Sequence, residues 1–187
     1  MKKKLLFPAF CLLLLQSTYA QESSACGHWA GVFFTSETFL TNTFSDSICM
    51  DKKGNAVWVG NNSIVNMDSE SGKKKFKLGQ LTGYHDGANK YKYFYDEKDE
   101  DGYFGYFKIE QSQTLIIYSQ WYLHGGDIFF YSKGMEGAIR VLTKKNLQRD
   151  FANEDFIKEI KNLGNTERSR EAALKVNEMV QKYFEKK

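Results

Sequence analysis

The chain has 187 residues, 42% of them hydrophobic and 26% charged, with a formal net charge of +3. Without Lys2, Lys3 and Lys4 at the extreme N-terminus, Lys plus Arg falls from 26 to 23 and equals the 23 Asp plus Glu. A balanced chain of this size suits one domain that buries roughly 70% of its unfolded surface, and it lacks the whole-molecule basic footprint that nucleic acid calls for.

The three lysines lead into an apolar run over residues 5–15 and a polar stretch that ends at Ala20. That order reads as a secretory signal peptide over residues 1–20. The run is well short of the roughly 20 residues of a membrane-spanning helix, and no comparable run follows. The expected product is periplasmic or secreted, with no transmembrane segment after signal removal. Cys11 leaves with the signal, and Cys26 and Cys49 remain as an even pair in an exported chain, which predicts a disulfide. The competing reading is lipid attachment at Cys26, which Ser24-Ala25 and Gly27 permit, although Ser23 stands where an apolar residue is expected.

From Trp29 the pattern is one of short strands. Residues 29–35 are apolar and β-prone, 36–40 fit one helical turn, and 48–50, 56–59 and 63–67 read as extended. Residues 68–72 make a hairpin loop into a strand over 73–78, and a glycine-punctuated strand over 79–84 runs into a turn at 85–89. Next comes the densest part of the chain, since 14 of the 29 aromatic residues fall within 91–131. Its runs at 90–95, 103–109, 115–118 and 128–131 are aromatic or β-branched, and they suit the centre of a sheet. The count comes to about nine or ten strands at the spacing of sandwiches and barrels.

After Leu142 the apolar period changes from two to about 3.6. Thr143 is placed to cap a helix over 144–150. Asn153, followed by Glu154 and Asp155, caps a second whose Phe156, Ile160 and Leu163 share a face, with Gly164 as its C′ residue. A third helix, over 167–184, carries Ala173, Val176, Val180 and Phe184 on a stripe narrow enough to predict a surface position. The expected class is α+β, a mostly antiparallel barrel or sandwich over residues 21–142 followed by two or three C-terminal helices, residues 143–187, packed on the same domain.

Chemistry is sparse in this pattern. His28, His85 and His124 are isolated on separate turns without the short repeat of a zinc site, so no metal centre is assigned to them. Glu97, Asp99 and Asp101, with Gly102 in sixth place, resemble the first half of a calcium loop. The twelfth position is Lys108 where a bidentate Glu is needed, so the stretch reads as an acidic hairpin tip, with weak calcium binding as the alternative. Ser71-Gly72-Lys73-Lys74 fits S-x-x-K but lies in a charged hairpin loop with no companion motif. Lys75 and Lys77 project together from a predicted edge strand, either as protection against aggregation or as an anion-binding stripe. Tyr91, Tyr93 and Tyr95 alternate, and read either as cross-strand packing or as the lining of a carbohydrate or lipid cleft.

Gly31-Val32-Phe33-Phe34-Thr35, Gly79-Gln80-Leu81-Thr82-Gly83-Tyr84-His85-Asp86-Gly87, Tyr131-Ser132-Lys133-Gly134 and Leu142-Thr143-Lys144-Lys145-Asn146-Leu147 resemble phrases of a family of small exported proteins of Bacteroidota with no characterised activity. The resemblance implies an exported protein with strands first and helices last, and it supplies no catalytic residue. The expected function is non-catalytic binding of an unknown protein, glycan or lipid partner, with no catalytic residues and no cofactor assigned. The alternatives are an enzyme with a non-local site around the histidines and acidic turns, and a weak calcium-binding protein.

Overall fold

A computed structural model describes residues 26–60, 64–77, 79–95, 104–122 and 125–185. The segment read as a signal, the acidic turn with Glu97, Asp99 and Asp101, and His124 lie outside the described residues. The chain forms β1 (Trp29–Phe33), α1 (Ser36–Leu40), β2 (Asp46–Cys49), β3 (Ala56–Val59), β4 (Val65–Ser69), β5 (Gly72–Phe76), β6 (Gly83–His85) and β7 (Lys90–Phe94). It continues through β8 (Gly105–Ser112), β9 (Ile116–Tyr122), β10 (Gly126–Ser132), β11 (Arg140–Val141), α2 (Lys144–Asp150), α3 (Glu154–Asn162) and α4 (Arg170–Val180), and ends in a π turn, Gln181–Glu185.

The α+β class holds, and the sheet is not a closed barrel. Eight strands form one antiparallel sheet in the order β11-β10-β9-β8-β7-β6-β1-β2, while β3-β4-β5 form a second, smaller sheet. The aromatic block supplies the middle of the large sheet as expected. β6 starts later than predicted, at Gly83, because the chain turns through residues 79–82. Gly83 is required there for a steric reason: a Cβ would overlap the Tyr91 carbonyl of β7 and the Phe39 ring, a use of strand glycine where two backbones approach closely. The predicted loop over 68–72 is tighter, since Ser69 pairs with Gly72 and leaves a two-residue turn, Glu70-Ser71, from which the chain emerges at Gly72 with φ 127°.

Cross-strand partners share a face, so the register shows how the sheet is covered. Val32 lies opposite Tyr84, Tyr84 opposite Tyr91, Tyr91 opposite Lys108, Lys108 opposite Ser119, and Ser119 opposite Phe129. This row crosses one face of the sheet. At its β1 end the small sheet packs on it, with Val57, Val65 and Met67 against Ala30, Val32 and Tyr84. At its β10 end the helices pack on the same face, with Leu147, Phe156, Ile160 and Val176 against Ile117, Phe129 and Tyr131. The opposite face buries Phe107, Tyr118, Phe130 and Ile139.

Thr143 and Asn153 cap α2 and α3 as predicted, accepting from the Asn146 and Phe156 amides. Two expectations about the helices need correction. Leu163, in extended conformation, ends α3, and Gly164 does not take the left-handed C′ geometry. α4 is not a surface helix: it buries Ala172, Ala173, Val176, Asn177, Met179 and Val180. A hydrophobic stripe understates this burial because Asn177 enters the core by hydrogen-bonding to the sheet.

Candidate functional site: an aromatic cleft between two layers

The small sheet and the helices cover opposite ends of one face and leave its middle open. The gap is a cleft of about 420 Å³ walled by Val59 of β3 and by Tyr84, Tyr91, Tyr106, Lys108, Ser119, Gln120, Trp121 and Asp127 of the large sheet. Tyr84 and Tyr91 stack with centroids 4.5 Å apart, and Tyr106 meets Tyr84 edge-on at 5.2 Å. Trp121, 64% exposed, lies opposite Asp127 in the register of β9 and β10.

The hydroxyls of these tyrosines differ. Tyr91 donates to Asp86 at 3.0 Å, and Asp86 also accepts the Ala88 and Asn89 amides. Tyr106 is only 9% exposed, and its hydroxyl has no hydrogen-bond partner among the described residues. Burial raises the pKa of Tyr84, Tyr91 and Tyr106, so each stays a neutral phenol. A buried polar atom without a partner is costly, and this one is closed to solvent.

Glu110 organises the polar wall. It is the extra residue of a bulge in β8, between Ile109 paired to Tyr118 and Gln111 paired to Ile117, and a bulge re-aims a side chain. Its buried carboxylate accepts the Ser119 hydroxyl at 2.7 Å and ion-pairs with Lys108 at 3.1 Å and Arg170 of α4 at 3.0 Å. Burial alone would raise the Glu110 pKa, but the hydrogen bonds from Ser119, Lys108 and Arg170 outweigh it and hold the pKa below the ordinary value. Glu110 is therefore ionised at neutral pH, and it fixes Lys108 and Ser119 at the cleft while tying α4 to the sheet.

Of the sequence-predicted surface, only Tyr91 reaches this cleft. Tyr93 and Tyr95 line a different groove, and Lys75 and Lys77 are exposed on and beyond β5, an edge strand of the small sheet. Tyr84, Tyr106, Trp121 and Asp127 were missed. Alternation within each strand gives the face of each residue, but nothing local says which strands stand side by side. The histidines described are not brought together. His28 Nδ1 lies 3.0 Å from Asp51 at the surface, and His85 Nδ1 accepts the Gly87 amide while the carboxylate of Asp86 is taken up by Ala88, Asn89 and Tyr91. Lys74 pairs with Asp46 and Ser71 with Ser69, so the S-x-x-K residues serve separate contacts.

Cys26 and Cys49 form a disulfide with Cα atoms 5.8 Å apart, consistent with an oxidising compartment. Cys26, Cys49 and Asp51 also place ligand atoms within 4.8 Å of one another, but sulfurs bonded to each other offer no thiolate to a metal. The bond ties the residues before β1 to the end of β2, the edge of the sheet. Its removal by Cys26→Ala with Cys49→Ala is expected to cost about 3 kcal/mol, read as a lower urea midpoint. A loss under about 1 kcal/mol would show that the edge is held by its strand pairing alone. Among the described residues no helix is long and apolar enough to cross a membrane. Compared with known protein families, curated proteins and solved structures, the chain matches none.

Proposed function

We propose that this chain is an exported, non-catalytic binding protein whose ligand seat is the aromatic cleft, and that the ligand is a glycan segment. The observation that carries the reading is an open cleft that joins the stacked Tyr84 and Tyr91 rings to the exposed Trp121 ring beside Asp127. Ligand pockets combine aromatic surface with a few polar groups that fix orientation, and an aromatic face with a hydroxyl at its edge serves a ligand that is apolar on one side and hydrogen-bonding on the other. Sugar rings have that character, and Lys108, Ser119 and Asp127 favour them over a plain hydrocarbon chain. Export to the periplasm or exterior is supported by the lysine-led apolar segment at residues 5–15 and by the disulfide.

The test is Trp121 fluorescence, in a Trp29→Phe, Trp58→Phe background, during titration with a panel of neutral oligosaccharides. At least one member is expected to shift the emission, and Trp121→Ala is expected to weaken its binding at least tenfold, about 1.4 kcal/mol. A panel that gives neither a fluorescence nor a calorimetric response at millimolar concentration would remove glycans as the ligand class. Binding that survives both Trp121→Ala and Asp127→Ala would place the ligand elsewhere.

A further inference from the structure

The fold leaves one carboxylate of the aromatic cleft unused. Asp127 is exposed on β10 and lines the cleft, and it has no hydrogen bond or ion pair among the described residues. The other charged groups around the cleft are engaged. Lys108 and Arg170 both pair with Glu110, at 3.1 Å and 3.0 Å. Arg168, which reaches β10 from the segment before α4, donates to the Gly125 carbonyl at 2.8 Å and makes no ion pair with Asp127. An exposed carboxylate alone selects no ligand, but here the register gives it a direction. Asp127 stands directly opposite Trp121, whose ring is the most open of the cleft. Lys108 pairs with Ser119, so Tyr106, two residues before the first, and Trp121, two residues after the second, fall side by side on the same face. The aromatic floor therefore runs from the stacked Tyr84 and Tyr91 through Tyr106 to Trp121 and ends at a free negative charge.

We propose, resting on the glycan reading above, that the cleft selects an amino-bearing glycan, with a protonated sugar amine seated between Trp121 and Asp127 and neutral rings lying along the aromatic floor. The Asp127 carboxylate accepts charge-assisted hydrogen bonds from the ammonium, and the indole face attracts the same cation. The opposite end of the cleft fixes the direction of the chain. Lys108 and Arg170 share the single charge of Glu110, so an ammonium is repelled there and drawn to Asp127. A glycan carboxylate placed beside Trp121 would meet Asp127 as a like charge, which rejects it from that position.

Calorimetric titration at mildly acid pH, where a sugar amine carries its proton, compares a glucosamine trisaccharide with its fully N-acetylated counterpart, which has the same rings and no charge. The amine form is expected to bind about fivefold more tightly, the size that an exposed ion pair and an exposed cation–π contact supply together. That preference should shrink at high salt, because the pair is open to solvent. Asp127→Asn keeps the shape and the hydrogen-bonding capacity of the side chain while removing its charge. It is expected to leave folding stability unchanged, since the position is exposed, to bring the amine form down to the affinity of the acetylated one, and to leave the acetylated one within about twofold. Equal affinity of the two trisaccharides for the wild-type chain, or a preference that persists in Asp127→Asn, would overturn the amine seat while the glycan reading stands. Failure of the amine form to bind would also overturn it, and the response to the neutral oligosaccharides would then decide the glycan reading separately.

Discussion

Asn177→Asp is expected to cost about 4 kcal/mol of folding stability at neutral pH, because it replaces a fully used amide with a buried carboxylate. Asn177 is wholly buried on α4 and Leu115 nearly so at the start of β9. The Asn177 Oδ1 accepts the Leu115 amide at 2.8 Å, and its Nδ2 donates to the Leu115 carbonyl at 2.9 Å and to Gln111 Oε1 at 3.0 Å. Aspartate keeps the first bond, loses both donated ones, and sets its second oxygen against two acceptors. The sign of the pH dependence follows. Burial raises a carboxyl pKa in the folded state above its unfolded value of roughly 3.9, so the charge penalty is absent below that pH and deepens as pH rises through the window up to the folded pKa. Urea denaturation of the variant from pH 3 to pH 8 should show this slope relative to wild type, on the order of 1.4 kcal/mol per unit within the window. Asn177→Leu should show a loss with no slope. A flat profile for the aspartate variant would mean that α4 has moved to let water in.

Phe156→Ala is expected to cost about 4 kcal/mol as well, by a different mechanism: lost burial plus an uncollapsed cavity. Phe156 on α3 is fully buried, with its ring 5.4 Å from Phe151 beyond α2, 5.4 Å from Phe184 in the terminal π turn, and 6.1 Å from Tyr183. Two separate segments therefore meet α3 on one side chain, and neither can fill the gap without leaving its own contacts. Thermal unfolding should fall by on the order of 10 °C, with helix and sheet signals lost together. Phe156→Leu should cost less than half as much. If far-UV and near-UV signals separated into two transitions in Phe156→Ala, the helical layer would be a unit that melts independently of the sheet.

The two variants probe what the chain pattern reports well and what it reports poorly. Phe156 was legible: with Ile160 and Leu163 it repeats at helical spacing behind the Asn153 cap, and that spacing alone marks a buried face. Asn177 was not, because a polar residue inside an apolar stripe reads as solvent-facing unless its partners are known, and those lie 62 and 66 residues away. The burial of Lys92 is hidden for the same reason: it stands between Tyr91 and Tyr93 where an alternating strand would turn outward, whereas it shares its face with Phe107, and that face is buried as well.

By itself the sequence determined the elements that depend on near neighbours. Strand and helix periods, the caps at Thr143 and Asn153, the glycine after the turn at Gly72 and the pairing of Cys26 with Cys49 follow from residues a few positions apart, or from there being two cysteines to join beyond residue 20. Only the tertiary structure decided the order of strands, the open sheet, and the placing of the small sheet and the helices on one face with a gap between them. Tyr84, Tyr106, Trp121 and Asp127 come from four different strands. They become a site only through hydrogen-bond register and layer packing, which are set by the total burial that the whole chain can reach and leave no trace in any single stretch of it.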